Sequence, residues 1–326
     1  MTRLNPWEVV SKRIKYADKD ELAVMDVDSI LAKFDLDWSV ELYNVAAVNS
    51  ANESYLIDDR YATMKVKEDS VAPLAVVGGY YKPTQNIDFA NLLHQVRREG
   101  FAEFVSLGQI KNGRTIYAIM ELNDGVDIPG DPHAGYLIAR TSHDGSSSLN
   151  VSPLLMRISC TNAINGSLMR AKNMGNFYNA RHTLNTNLNY DSLIAQLHLT
   201  KRSIMEWSAL ANKLLNISVT DSDYEQLKNK CFAYPSSLMG IRRDLWTRSQ
   251  IMLVNKMSSY REAADKAWYG MDTQAGLKNT KYGILQALIE AVDHRKDMTE
   301  AQAKSIILDK ESELKQKALE LVTVGS

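Results

Sequence analysis

Cysteine is scarce in this 326-residue chain: there are two, Cys160 and Cys231. Two thiols form neither a disulfide framework nor a zinc quartet, so the fold must be held by its own core. No run approaches the roughly 18 apolar residues of a membrane span, and no membrane partner is expected. The opening MTRLNPWEVV has no apolar signal core, which predicts a cytoplasmic protein. There is no GxxxxGK[ST] phosphate loop and no GxGxxG following a strand. No paired carboxylates stand above the acidic background. Nothing in the pattern argues for an enzyme, and no cofactor or metal is expected.

What is present is a globular composition, with 45% hydrophobic and 24% charged residues, enough to bury a sizeable core at this length. The net charge of −1 hides an uneven distribution. Residues 1–70 carry 9 Lys/Arg against 14 Asp/Glu, whereas residues 138–202 carry 7 against 2. That basic block is either an electrostatic footprint for an anion or a chance fluctuation.

Periodicity divides the chain into two parts. Short amphipathic helices are predicted over 6–16 and 27–34, the second with Asp26 or Asp28 as its cap. Strands follow at WSVELYNVAAV, YATMKV and 74–77. Phe89, Leu92, Leu93 and Val96 recur at helical spacing, with Gly100 at the C′ position. Asn112-Gly113 is a type I′ turn signal between alternating runs, and Asp144-Gly145 marks the tip of a second hairpin. After Cys160 helical patterns dominate, over 191–216, 221–231, 236–258, 259–269, 276–295 and 299–321. The fold class is therefore α+β: an antiparallel β-sheet with flanking helices over 1–165, then a mainly α-helical region over 166–326, packed on the first or separate. The last helix either packs on the body or provides an oligomer contact.

Two stretches carry candidate chemistry. In GYYKPTQN (79–86), Tyr80 and Tyr81 can stack on bases and Lys82 can meet a phosphate. The plainer alternative has a tyrosine covering the core and Asn86 capping the next helix. In the basic block, Arg140 and Arg157 lie on neighbouring strands with few acids nearby in sequence, and Arg170 and Lys172 follow. Ser142, His143 and Asp144 are adjacent at a hairpin tip and so diverge, whereas a catalytic triad must converge. His143 with His133, Asp131 and Asp144 lacks any diagnostic metal spacing. In IRRDLWTR (241–248), read as helical, Asp244 is expected to pair with one of its arginines.

The segments LDWSVEL (36–42), RYATMKV (60–66), VVGGYYKPTQN (76–86), TSHDGSSSL (141–149), RISCTNAIN (157–165) and GLKNTKYGILQALIEAVDH (276–294) occur in that order. Together they resemble the phage/plasmid-like protein family of unknown function, found in phages, plasmids and laterally transferred islands. Lys281-Tyr282 departs from that family's usual tryptophan context. A helix, an antiparallel sheet and then helices is also similar, at fold level, to the single-strand-annealing recombinases of the Redβ and RecT type. These resemblances imply a DNA-binding protein in the host cytoplasm that binds or anneals single-stranded DNA without ATP, as a homo-oligomer. Tyr80, Tyr81, Lys82, Arg140, Arg157, Arg170 and Lys172 would be the contacting residues. The alternative is a phage accessory protein acting through protein–protein contacts.

Overall fold

A computed structural model describes residues 16–123, 128, 130–157, 163–165, 178–183, 189–270, 272–294 and 312–324. Two short helices come first, α1 (Lys19–Ala23) and α2 (Val27–Lys33). Asp26 caps α2 by accepting from the Ser29 amide at 2.8 Å. The chain then makes a three-stranded antiparallel meander of β1 (Ser39–Val48), β2 (Ser54–Lys67) and β3 (Ser70–Gly78). Helix α3 (Asn86–Arg98) follows and ends at Gly100, whose φ of +73° is the left-handed C′ conformation. Its buried face is Phe89, Leu92, Leu93 and Val96, the four positions marked by helical spacing.

A second antiparallel sheet is built from β4 (Ala102–Ile110), β5 (Thr115–Leu122), β6 (His133–Ser142) and β7 (Leu149–Arg157). Its first hairpin turns at Asn112 and Gly113, with φ of +58° and +94° and an Arg114 N–H bonded to Lys111 O at 3.3 Å. Asn112 and Gly113 take the two positive φ values of a type I′ turn, and Lys111, at +55°, adds a third, so the loop spans residues 111–114 between the paired Ile110 and Thr115. The outer edge of β7 is closed by two short strands rather than one. β8 (Ala163–Asn165) pairs with Leu154–Met156, and β9 (Tyr178–Ala180) pairs with Leu149–Val151. Pro153, which has no N–H to give, falls in the gap between them.

Among the described residues, the helices of the second half are α4 (Tyr190–Leu215), α5 (Asp221–Cys231), α6 (Arg248–Gly270), α7 (Lys281–His294) and α8 (Ser312–Thr323). The α+β class is as the periodicity predicts, but with two sheets where the pattern suggested one. The helix pattern over 236–258 is corrected. Residues 234–247 form only short 3₁₀ turns, at Ser236–Leu238 and Arg243–Leu245, and one helix then runs unbroken through 248–270. The expected Arg242–Asp244 pair is present at 2.7 Å.

One continuous apolar cluster joins the sheets to the helices, from Leu22 through Phe104 and Leu155 to Val322. Helix α7 is its axis: Ile284, Leu285, Leu288 and Ile289 are fully buried, each contributing about 1.5–3 kcal/mol. Gly283 allows this close packing, because a Cβ there would overlap the Leu277 carbonyl. Helix α8 packs inward on α5 and α7 through Ala318, Leu319 and Val322, and Lys315 pairs with Asp293 at 2.6 Å in the interior. The inner face of the last helix is therefore spent within the chain. Thr299 and the start of the predicted 299–321 helix lie outside the described residues, as does the predicted 6–16 helix except for Tyr16.

Candidate functional site

The turn residues of 141–147 hold one another. The Ser142 hydroxyl donates to Ser147 O at 2.7 Å and accepts from its amide at 2.9 Å. Asp144 accepts from the Ser146 amide at 2.9 Å, and Gly145 has a φ of +71°. Burial alone would raise the Asp144 pKa, but the hydrogen bonds from Ser146 and Ser142 prevail and lower it.

Three other segments grip this tip. The Tyr81 hydroxyl donates to Ser142 O at 2.8 Å. His143 packs edge-on to Trp38, with Nε2 3.1 Å from Asn86 Oδ1. Both amide hydrogens of Asn86 go to the carbonyls of Leu36 and Trp38, so its oxygen faces the ring and His143 Nε2 is the donor. Burial pushes the His143 pKa down to about 3, which keeps the imidazole neutral. His182 bonds through Nδ1 to Thr84 and through Nε2 to Thr141, each at 3.1 Å. Burial lowers its pKa as well.

These bonds align residues 81–82 with 182–183. Tyr81 and Thr183 form an antiparallel bridge, and the Lys82 amide donates to His182 O at 3.3 Å. Lys82 and Arg181 are thereby brought to one open cleft of about 350 Å³ between this bridge and α3. Thr84, Asp88, Asn91 and Gln95 form much of the remaining polar lining. Both cations are exposed, and neither has an ion-pair partner among the described residues. Tyr80, two residues before Lys82, is 82% exposed.

A second polar cluster lies at the other end of the β6–β7 hairpin. Arg157 Nε bonds Asp131 Oδ1 at 2.6 Å, and the Tyr282 hydroxyl donates to Asp131 Oδ2 at 2.9 Å. An Arg157 terminal nitrogen reaches Thr273 O at 2.9 Å, and Thr273 and Gln274 donate to Glu290. His133 Nδ1 lies 2.7 Å from Asp131 O, and burial lowers its pKa against the pull of Asp131. Burial, aided by the Asp131 charge, raises the Tyr282 pKa. The cluster has the residue types of an acid–base site, but its members are sealed from solvent. It joins the sheet to α7.

A family model matches residues 73–319. The chain belongs to that family, a domain of unknown function (DUF932). No curated protein and no solved structure matches the chain. The DUF932 region contains both polar clusters and the cleft, whereas β1 and β2 precede it.

Within the DUF932 region the sequence-predicted contact residues separate. Lys82 is exposed in the cleft, and Tyr80 is exposed just outside its lining. Tyr81 is turned inward and bonded to the hairpin tip. Arg157 is corrected: at 1% exposure, in an ion pair, it is closed to any phosphate. The few acids near it in sequence misled, because Asp131 comes from a loop 26 positions away. Arg140 is half-buried and pairs in register with Tyr117 and Asn150. Arg157 pairs with His133, seven positions from Arg140 along β6. An odd spacing puts the two arginines on opposite faces, roughly 23 Å apart, so they do not share a groove. Arg170 and Lys172 lie outside the described residues. Asn86 is corrected too: the N-cap position is Gln85, and the Asn86 side chain holds the α2–β1 connection instead. Among the described residues no three His, Cys, Asp or Glu gather as a metal site, and His133 and His143 stand at opposite ends of β6. Sequence reasoning missed Arg181 and His182. Their signal was the basic block itself, but only the Tyr81–Thr183 bridge shows which cation joins Lys82.

Proposed function

We propose that this DUF932 protein binds single-stranded nucleic acid, most simply single-stranded DNA of a phage or other mobile element, in the cleft of Lys82 and Arg181. The observation that carries the reading is the pair of exposed cations on bridged segments beside an exposed tyrosine. Lys82 and Arg181 would each take a phosphate, displacing counterions. Tyr80 would stack on a base, worth about 1–3 kcal/mol with little sequence preference. Asp88 in the same cleft opposes one charge and directs the backbone toward the bridge side. The neutral His143 and His182 beneath would fix the geometry without adding charge. Binding of this kind needs no nucleotide hydrolysis, which agrees with annealing as the activity. A role through protein contacts is the second reading, supported by exposed apolar residues outside the cleft lining.

The test is anisotropy of a labelled oligonucleotide over a salt series. Wild-type binding should weaken steeply with salt, and Lys82→Ala with Arg181→Ala should reduce the slope by roughly 0.7 per lost contact. Complementary oligonucleotides should pair faster with the wild type than with this double variant, without ATP. Absence of binding at low salt, or binding indifferent to both substitutions, would sink the reading.

A further inference from the structure

Before residue 60 of β2 and after Asn44 of β1, the two strands run on without β3 as a two-stranded ribbon, because β3 pairs only with residues 60–67 of β2. A bulge between Asn44 and Ala46 bends it. Such a ribbon alone is marginal in water, and this one also carries large apolar side chains in solvent. Val48, Tyr55, Leu56 and Ile57 are exposed on it, Leu56 at 72%, and Leu42 and Tyr43 are exposed on β1 just before it, where β3 still backs the sheet. Among them, residues 41–60 hold four acids (Glu41, Glu53, Asp58 and Asp59) and one base, Arg60.

A second surface has the matching character. The irregular segment before α6 and the first two turns of that helix expose Met239, Ile241, Leu245, Met252 and Leu253, Met239 at 80%. Residues 239–256 hold four bases (Arg242, Arg243, Arg248 and Lys256) and one acid, Asp244. Arg243 and Arg248 are exposed. Methionine and leucine on an irregular backbone suit a surface that moulds to an inserted strand pair.

Large apolar side chains held in solvent in two separate groups mark interaction sites. Each patch carries a net charge of three, of opposite sign, and neither covers the other within the chain. We infer that the occupant of the ribbon is a second copy of this chain: the acidic apolar ribbon of one copy docks on the basic apolar 239–256 surface of the next. The contact uses different patches on its two sides, so it is heterologous and repeats from copy to copy, closing a ring or extending a filament. This is independent of the cleft, which neither patch includes, and it replaces α8 as the assembly element.

Mass measurement by light scattering on the full chain, with charge reversal, tests the pairing. The wild type at tens of micromolar should run at two or more chains. Glu41→Lys with Asp58→Lys on the β1–β2 hairpin should give monomers, and so should Arg243→Glu with Arg248→Glu on the platform. Each variant is expected to melt with the wild type, since all four side chains are exposed. An equimolar mixture of the two variants should assemble again, because each reversed patch then meets its complement. A monomeric wild type would overturn the inference. So would a platform variant that assembles like the wild type, which would mean that ribbons pair with ribbons. Two stable variants that stay monomeric when mixed would overturn it as well.

Discussion

The two ends of the β6–β7 hairpin solve opposite problems. At its base, Asp131 and Arg157 bring full charges into the interior, where Tyr282 bonds the carboxylate, Thr273 O accepts from the guanidinium and His133 holds the Asp131 backbone carbonyl. At its tip, Tyr81, Thr141, His143 and His182 are neutral groups that form hydrogen bonds under an exposed lysine and arginine. Buried charge is matched and inaccessible; the available cations stand on a frame whose histidines and tyrosine are neutral. An arginine in a basic block is therefore no guide to an anion site until its partner is known.

The largest expected break is at the base. Asp131→Ala would leave Arg157 charged, buried and short of a partner, at a cost of about 3–5 kcal/mol in urea unfolding. A loss below about 1 kcal/mol would mean that water reaches Arg157 and that the two ends do not differ in kind.

Acid should come next, and act at the tip. The folded His143 resists protonation down to about pH 3, while the unfolded chain takes the proton near 6.5. Between these values the unfolded state binds more protons, so stability falls as pH falls, by about 1.4 kcal/mol per unit. His143 alone should thus remove about 2 kcal/mol between pH 7 and pH 5, and the lowered pKa values of His182 and His133 act in the same direction. Thermal melts at the two pH values check this, and His143→Gln should flatten the dependence.

Gly145→Val should cost about 1 kcal/mol or more by chemical denaturation, because a β-branched residue is strained at a φ of +71°. Packing contributes little there, since a Cβ would meet Val77 and Tyr81 only at ordinary contact distances. The smallest effect on stability should come from Lys82→Ala with Arg181→Ala, within about 0.5 kcal/mol for exposed side chains. Its consequence should appear in oligonucleotide affinity and salt slope alone. A clear fall in melting temperature would place these cations in the frame rather than on it.

Much of the fold was legible because it is local. Asp26, Gly100, Asn112-Gly113 and Asp144-Gly145 each act within a few residues, and each occupies the role its chemistry suits. The 234–247 stretch defeated periodicity: apolar residues at helical spacing normally report a buried face, but Met239, Ile241 and Leu245 face solvent. The site was less legible for a different reason. Lys82 and Tyr80 could be named from their neighbours, but Arg157 depends on Asp131, Tyr282 and Thr273, and Lys82 meets Arg181 only through a bridge between distant segments. Strand parity, which separates Arg140 from Arg157, needs a register that composition does not supply.

The bridge between Tyr81 and Thr183 also sets an order of events during synthesis. The meander of β4 to β7 lies entirely between these residues, so it can form as it leaves the ribosome. Lys82 by then has been outside for some time, beside a hairpin tip that His182 has not yet reached. At typical elongation speeds of about 5–20 residues per second, the roughly 100 residues between the two halves of the cleft take about 5–20 s to appear. A nascent chain therefore carries β4 to β7 roughly 1–5 s before Arg181 joins Lys82, and cannot present the paired cations to an anion until then.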